Sequence, residues 1–169
     1  MQISIATGVL VTVPAFAGGV SAPQQLRQEI ETVGPAVFTG SGYKPGLIRH
    51  IVLFRYHSTT TATQRQEIQR RLLSLKANAR RQGRTYIQSI ESGSQLSGEG
   101  ADGGMEWAFV LTFCSQGDRN YYVGSPLIDD ASYYDAAHAA FKRFVAPFVE
   151  RVIVFDYATN GSICKISHR

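Results

Sequence analysis

The segment Leu47-Ile48-Arg49-His50-Ile51-Val52-Leu53-Phe54-Arg55-Tyr56 restricts the fold more tightly than any other stretch of the chain. Read as a strand, it puts His50, Val52, Phe54 and Tyr56 on one face and Ile51 and Leu53 on the other. A strand with one wet face alternates apolar and polar residues, so this one must be covered on both sides. One covered face also carries a histidine.

Periodicity elsewhere supplies the covers. Thr61-x-x-Gln64 has the form of a capping box, and Ile68, Leu72, Leu75 and Ala79 follow at helical spacing, predicting an amphipathic helix that ends near Gly83. Residues 86–90 and 105–113 read as two strands joined by a glycine-rich loop over 93–104. Residues 115–132 read as a loop or broken turn. A second helix carries Ala137, Phe141, Phe144 and Phe148 on one stripe, with Pro147 bending or ending it. Residues 151–157 form a last strand with apolar residues on both faces.

The order βαββαβ is the ferredoxin-like arrangement of the α+β class, with two helices on one face of a four-stranded antiparallel sheet. The other face, with Ile51, Leu53, Ala108, Val110, Ile153 and Phe155, is a larger apolar patch than soluble monomers expose. A second copy packed sheet to sheet is the economical cover and gives a homodimer; a different partner protein is the alternative.

A chain of 169 residues, 44% of them hydrophobic, buries a real core, and the folded unit is expected over residues 47–158. Residues 1–22 have the apolar stretch and small-residue cleavage pattern of a signal peptide but lack a basic start. If that segment is an export signal the protein is periplasmic or secreted, and otherwise it is cytoplasmic. It is too short and too broken by Gly and Pro to span a membrane. Residues 23–46 read as a linker or N-terminal arm with a short helical patch at 24–32, and residues 159–169 as a tail. The net charge of +4 is concentrated in Arg65, Arg70, Arg71, Lys76, Arg80, Arg81 and Arg84, the wet face of one helix without interleaved aromatic residues, so no nucleic-acid partner is expected. Cys114 and Cys164 have no metal-ligand spacing; they are buried small hydrophobes or, after export, one disulfide.

The strand order 4-1-3-2 sets the last strand antiparallel beside the first, which brings Asp156 close to His50. His138, in the first turns of the second helix, converges on the same end of the sheet, with Tyr121, Tyr122, Tyr133 and Tyr134 nearby. A histidine oriented by a carboxylate is the usual arrangement of a general base, because the carboxylate fixes the tautomer and stabilises the imidazolium. The same groups could merely satisfy one another, and two histidines with a carboxylate could also ligate iron, although their scattered placement argues against a metal. His57 and His168 read as surface residues, and Trp107 as core or pocket wall.

His50-Ile-Val-Leu-Phe-Arg-Tyr56, Trp107-Ala-Phe-Val-Leu-Thr-Phe113, Asp135-Ala-Ala-His138-Ala-Ala-Phe141 and Val154-Phe155-Asp156-Tyr157 together resemble the stress-responsive A/B barrel (Dabb) family of dimeric α+β barrels. The resemblance implies the same ferredoxin-like fold and the homodimer. The family holds plant stress proteins, fern hydroxynitrile lyases and a plant polyketide cyclase, in which a histidine matching His138 is the base and one matching His50 lines the pocket. The chain departs from the pattern in three places. Ser132 stands where the cyclase's assisting tyrosine lies, Asp135 replaces a family histidine, and an apparent insertion covers residues 123–132.

The resulting expectation is a homodimer with one cavity per subunit for a small apolar or aromatic ligand, walled by Val52, Phe54, Trp107, Phe109, Leu111 and Phe141. Cofactor-free and metal-free lyase or cyclase chemistry would run through His138, His50 and Asp156, with Tyr122 or Tyr134 as hydrogen-bond donor. A non-catalytic ligand-binding or stress-associated dimer and a haem- or quinol-handling monooxygenase are the rivals.

Overall fold

In the computed structural model, β1 (Pro45–Tyr56) is the central strand of a sheet and has partners on both edges. It runs antiparallel to β3 (Trp107–Ser115) and to β4 (Val149–Ala158), and β2 (Ile87–Ser94) pairs with β3 on the far side. The order β2-β3-β1-β4 and the two helices α3 (Ala62–Asn78) and α5 (Ala136–Val145) make the ferredoxin-like α+β fold expected from the sequence. The structure describes residues 20–159 and residue 164. Most of the predicted export signal and tail therefore lies outside the described residues. No helix among the described residues is long and apolar enough to cross a membrane.

The two faces of β1 are unequal. Ile48, His50, Val52, Phe54 and Tyr56 are buried under the helices with Phe109, Leu111 and Phe113 of β3. Ile51, Leu53 and Val110 on the opposite face are only half-buried. β4 is the barest strand: Phe155 is 62% exposed on the outer face, and Val154 is 54% exposed on the helix side. The two covering helices, α3 and α5, leave its Val152 and Val154 exposed.

α3 forms because its first turn is closed by a reciprocal cap, with Gln64 N donating to Thr61 Oγ1 and Thr61 N to Gln64 Oε1. Its buried stripe is Ile68, Leu72 and Leu75, with Ala79 just beyond. The helix stops at Asn78 rather than at Gly83, because Arg81 and Arg84 exchange backbone hydrogen bonds around a tight turn with Gln82 and Gly83 at positive φ. Pro147 does end the second helix, in a 3-10 turn over Ala146–Phe148.

Two segments differ from the sequence reading. Residues 115–132, expected as a loop, contain α4 (Gln116–Val123), capped by Ser115, whose Oγ accepts from Asp118 N. Residues 23–46, expected as a linker or arm with a helical patch at 24–32, hold α1 (Ala22–Val33) over that patch and a further helix, α2 (Pro35–Phe38), beyond it. The arm is packed down at its C-terminal half. Phe38 is wholly buried, Asn120 Nδ2 donates to its carbonyl at 2.8 Å, and the α4 amides Gln116 N and Gly117 N donate to Lys44 O and Tyr43 O. A Cβ at position 117 would stand 1.7 Å from Gly40 O, so only glycine allows this approach.

Cys114, at the end of β3, pairs with Cys164 with the Cα atoms 5.4 Å apart, an ordinary separation for a disulfide. The bond ties the chain beyond β4 back to the sheet.

If the arm is part of the folded unit, Phe38→Ala should cost about 3 kcal/mol of stability, the usual loss for deleting a fully buried phenylalanine. Urea denaturation of the full chain checks this, and an unchanged midpoint would show that the arm is only draped on the surface.

Candidate functional site

Register brings the first pair of polar residues together. His50 of β1 stands directly opposite Asp156 of β4, and both point to the helix side. His50 Nδ1 donates to Asp156 Oδ1 at 2.6 Å. The other oxygen is held by a residue that no sequence pattern singled out: Arg119 Nη1 of α4 donates to Asp156 Oδ2 at 2.6 Å. Burial alone pushes the Asp156 carboxyl up, but the hydrogen bonds and positive charge of His50 and Arg119 outweigh it and hold the group below the ordinary aspartate value. Asp156 therefore accepts through both oxygens as a carboxylate.

His138 is placed by the start of α5. Asp135 caps that helix, Oδ1 accepting from His138 N at 2.8 Å, while Tyr86 OH donates to Oδ2 at 2.6 Å. Both carboxylate oxygens of Asp135 are thus engaged in building the helix start. The residue that replaces a family histidine is a buried structural anchor.

The ring of His138 stacks on Tyr122 with centroids 3.7 Å apart, and its Nδ1 lies 2.6 Å from the Tyr122 carbonyl oxygen. A carbonyl only accepts, so Nδ1 carries the proton and Nε2 keeps a lone pair. Burial disfavours the imidazolium, and the charges of Lys142 and His50 add to that effect against the opposing pull of the Tyr122 carbonyl. Together they push His138 well below the ordinary imidazole value. His138 is a neutral imidazole at neutral pH, and the residue as a whole is half-buried. His50 packs edge-on against Tyr122 at 5.6 Å, so the tyrosine ring lies between the two histidines.

Of the tyrosines near this end, Tyr122 is the one in contact with His138. It is buried, and burial pushes its hydroxyl up so that it stays protonated. Tyr134 is half-buried and packs over Gly124 beyond the end of α4, while Tyr121 faces Tyr86 and Arg81.

The residues expected to wall a ligand cavity have a different setting. Val52, Phe54, Phe109, Leu111 and Phe141 sit in one continuous apolar core with Ile68, Leu72 and Leu75 of α3 and Val145 of α5. Trp107 is half-buried at the rim of that core. Concavities open on the described surface away from His50 and His138. One of about 760 Å³ is lined by Arg81, Arg84, Tyr86, Asp118 and both cysteines, and one of about 280 Å³ by Leu53, Asp102, Met105 and Trp107. Among the described residues no three His, Cys, Asp or Glu side chains are grouped to hold a metal ion.

The stress-responsive A/B barrel domain matches residues 48–159, two thirds of the chain and all of the sheet except the start of β1. The chain belongs to the stress-responsive A/B barrel (Dabb) family. Its fold is shared with a hydroxynitrile lyase from Passiflora edulis, at 24% identity over 71% of this chain and 99% of that one, with a TM-score of 0.56. A protein from Arabidopsis thaliana follows at 18% identity, 69% and 99% coverage and a TM-score of 0.55. A dimeric ferredoxin-like protein of unknown function from Jannaschia sp. CCS1 has 14% identity, 68% and 100% coverage and a TM-score of 0.52. No curated protein matches the sequence. The likeness to these solved structures shows the fold.

The depressed His138 has a consequence for stability. Below about pH 6.5 an unfolded chain protonates this imidazole while the folded protein keeps it neutral, so the unfolded state binds more protons and stability falls as the pH drops. Asp156 works in a lower window, since its contribution is lost only below the ordinary carboxyl range. Between pH 7 and pH 5 denaturation should therefore show a loss of roughly 1–2 kcal/mol from this histidine. His138→Gln should flatten that part of the pH profile, and an unaltered slope in the variant would contradict the assignment.

Proposed function

We propose that this Dabb protein is a homodimer that performs cofactor-free proton-transfer chemistry, of lyase or cyclase type, on a small apolar or aromatic substrate. The observation that carries the reading is the state of His138. A neutral imidazole whose Nδ1–H is fixed to the Tyr122 carbonyl keeps a lone pair at Nε2, in a residue that is half-buried as a whole. That is the form in which an imidazole accepts a proton, and the protonated hydroxyl of Tyr122, whose ring stacks on His138 from α4, is a hydrogen-bond donor. In the proposed step His138 Nε2 takes a proton from the substrate, and a hydrogen bond stabilises the negative charge left on the substrate oxygen. The rings of Phe141 and Tyr122 flank His138 and suit an aromatic substrate. The Passiflora edulis protein is described as a hydroxynitrile lyase, which makes aromatic cyanohydrins the first substrates to offer.

Aldehyde release from a panel of aromatic cyanohydrins, followed by absorbance, tests the chemistry. His138→Ala should lower kcat/KM by about 100-fold or more, the scale of a lost general base, with the far-ultraviolet spectrum unchanged. Equal turnover by the variant would sink the assignment of the base.

A non-catalytic ligand-binding dimer is the second reading. It is favoured by the packed setting of Val52, Phe54, Phe109, Leu111 and Phe141. A native protein that binds aromatic compounds but turns none over would favour it.

The proposed dimer uses the outer sheet face. Ile51, Leu53, Val110 and Ile153 are half-buried there, and Phe155 is the most exposed aromatic of that strand face. A partner sheet would cover this patch and remove its apolar area from water. Sedimentation should give two chains per particle, and Phe155→Asp should shift the equilibrium to monomer. A native monomer would refute the dimer.

A further inference from the structure

A histidine held by a lone carboxylate becomes a stronger base, because the carboxylate charge stabilises the imidazolium. His50 is not in that situation. Its carboxylate partner accepts from His50 on Oδ1 and from the Arg119 guanidinium on Oδ2, each at 2.6 Å. Arg119 is largely buried, so its attraction to Asp156 is screened less than that of a surface pair. The positive charge cancels much of the pull of Asp156 on a second positive group. The hydrogen bond that fixes the ring of His50 is left in place.

Arg119 is a costly residue for a purely structural role. Its Nε is buried and finds no acceptor among the described residues, and a buried guanidinium with an unmet donor opposes folding. Its position on α4 gives the reason for its presence. Arg119 and Tyr122 are three residues apart and share a helix face. Tyr122 fixes Nδ1 of His138 through its carbonyl oxygen, and Arg119 reaches Nδ1 of His50 through Asp156. One short helix thus sets the donor side of both imidazoles.

We propose that Arg119 is a positioning residue that shares the Asp156 carboxylate with His50 and so turns the His50–Asp156 pair from a base-strengthening dyad into a tautomer lock, with the His50 proton held on Nδ1. The assignment rests on the acid-base reading of this site for its purpose but not for its test. His138 then stands as the base, and His50, a buried ring packed against Tyr122, is held in one orientation and does not meet the substrate. Charged and titratable groups that face His50 are Asp156 from β4, Arg119 and Tyr122 from α4, and His138 from α5. Glu29 of α1 lies within electrostatic reach of Arg119 but is bonded to Lys44 and Tyr43.

Nitrogen-15 spectra of the histidine side chains in the full-length protein decide the matter without a substrate. In the native protein at pH 7, His50 should show a protonated Nδ1 and an unprotonated Nε2. Arg119→Gln should move the His50 titration upward by about one pH unit or more, the scale expected when a neighbouring charge is removed. Arg119→Lys should restore most of the native behaviour. A folded Arg119→Gln variant with an unmoved His50 titration would overturn the proposal. So would a native His50 found as imidazolium at pH 7, a measurement that needs no variant. Loss of the cyanohydrin activity prediction with these spectra intact would refute the acid-base reading alone.

Discussion

The pairing of β1 with β4 is the interaction on which the rest of this structure depends. β1 is hydrogen-bonded along both edges, to β3 and to β4, so its register is held from two sides. The side chains of a strand alternate, and a slip of one residue would turn His50, Val52, Phe54 and Tyr56 away from the helices and bring Ile51 and Leu53 in. It would also separate His50 from Asp156. The same set of backbone bonds that buries the aromatic core therefore creates the polar pair at its edge. The core's apolar residues resist the slip, and the histidine is carried along with them.

α4 is the second organising element, and it works by close approach. Gly117 lets the backbone of the arm lie against the helix, and the arm's carbonyls at Tyr43 and Lys44 take the first α4 amides. At its other end, Lys142 of α5 donates to the carbonyls of Val123 and Ser125, closing the C-terminal end of α4 against the helix that carries His138. Between these two anchors lie Arg119 and Tyr122. The segment is short and polar and shows no apolar stripe, which is why its sequence reads as a loop. Its helical form is decided by the Ser115 cap and by contacts with residues about seventy positions earlier in the chain.

The Dabb fold was legible because its signals are local and repeated. Strand residues 47–56 have a two-residue period, α3 has its cap and its Ile68, Leu72 and Leu75 stripe, and α5 has Phe141 with Pro147 at its end. His50, His138 and Asp156 could be named once the topology was known, since parity and strand order place them without side-chain detail. Arg119 and Tyr86 could not, because an isolated arginine or tyrosine has no periodic signature and each acts through a carboxylate distant in sequence. Asp135 had a readable signal: an aspartate three residues before His138, at the start of an apolar stripe, has the form of an N-cap. The arm was read as a linker because its glycines and prolines are loop residues by composition, whereas Phe38 finds its burial only against α4.

By itself the sequence determined the α+β class, the order of strands and helices, and the family, because these follow from hydrophobic period and from short motifs along the chain. Tertiary structure alone decided how the site is wired. It set which tyrosine stacks on His138, which carbonyl fixes that ring's proton, and which cation shares Asp156 with His50. It also decided that the aromatic residues of the helix side pack together, since whether facing stripes touch or leave room depends on the distance between them. Periodicity specifies which way a side chain points. What it meets there is set by packing across the whole chain.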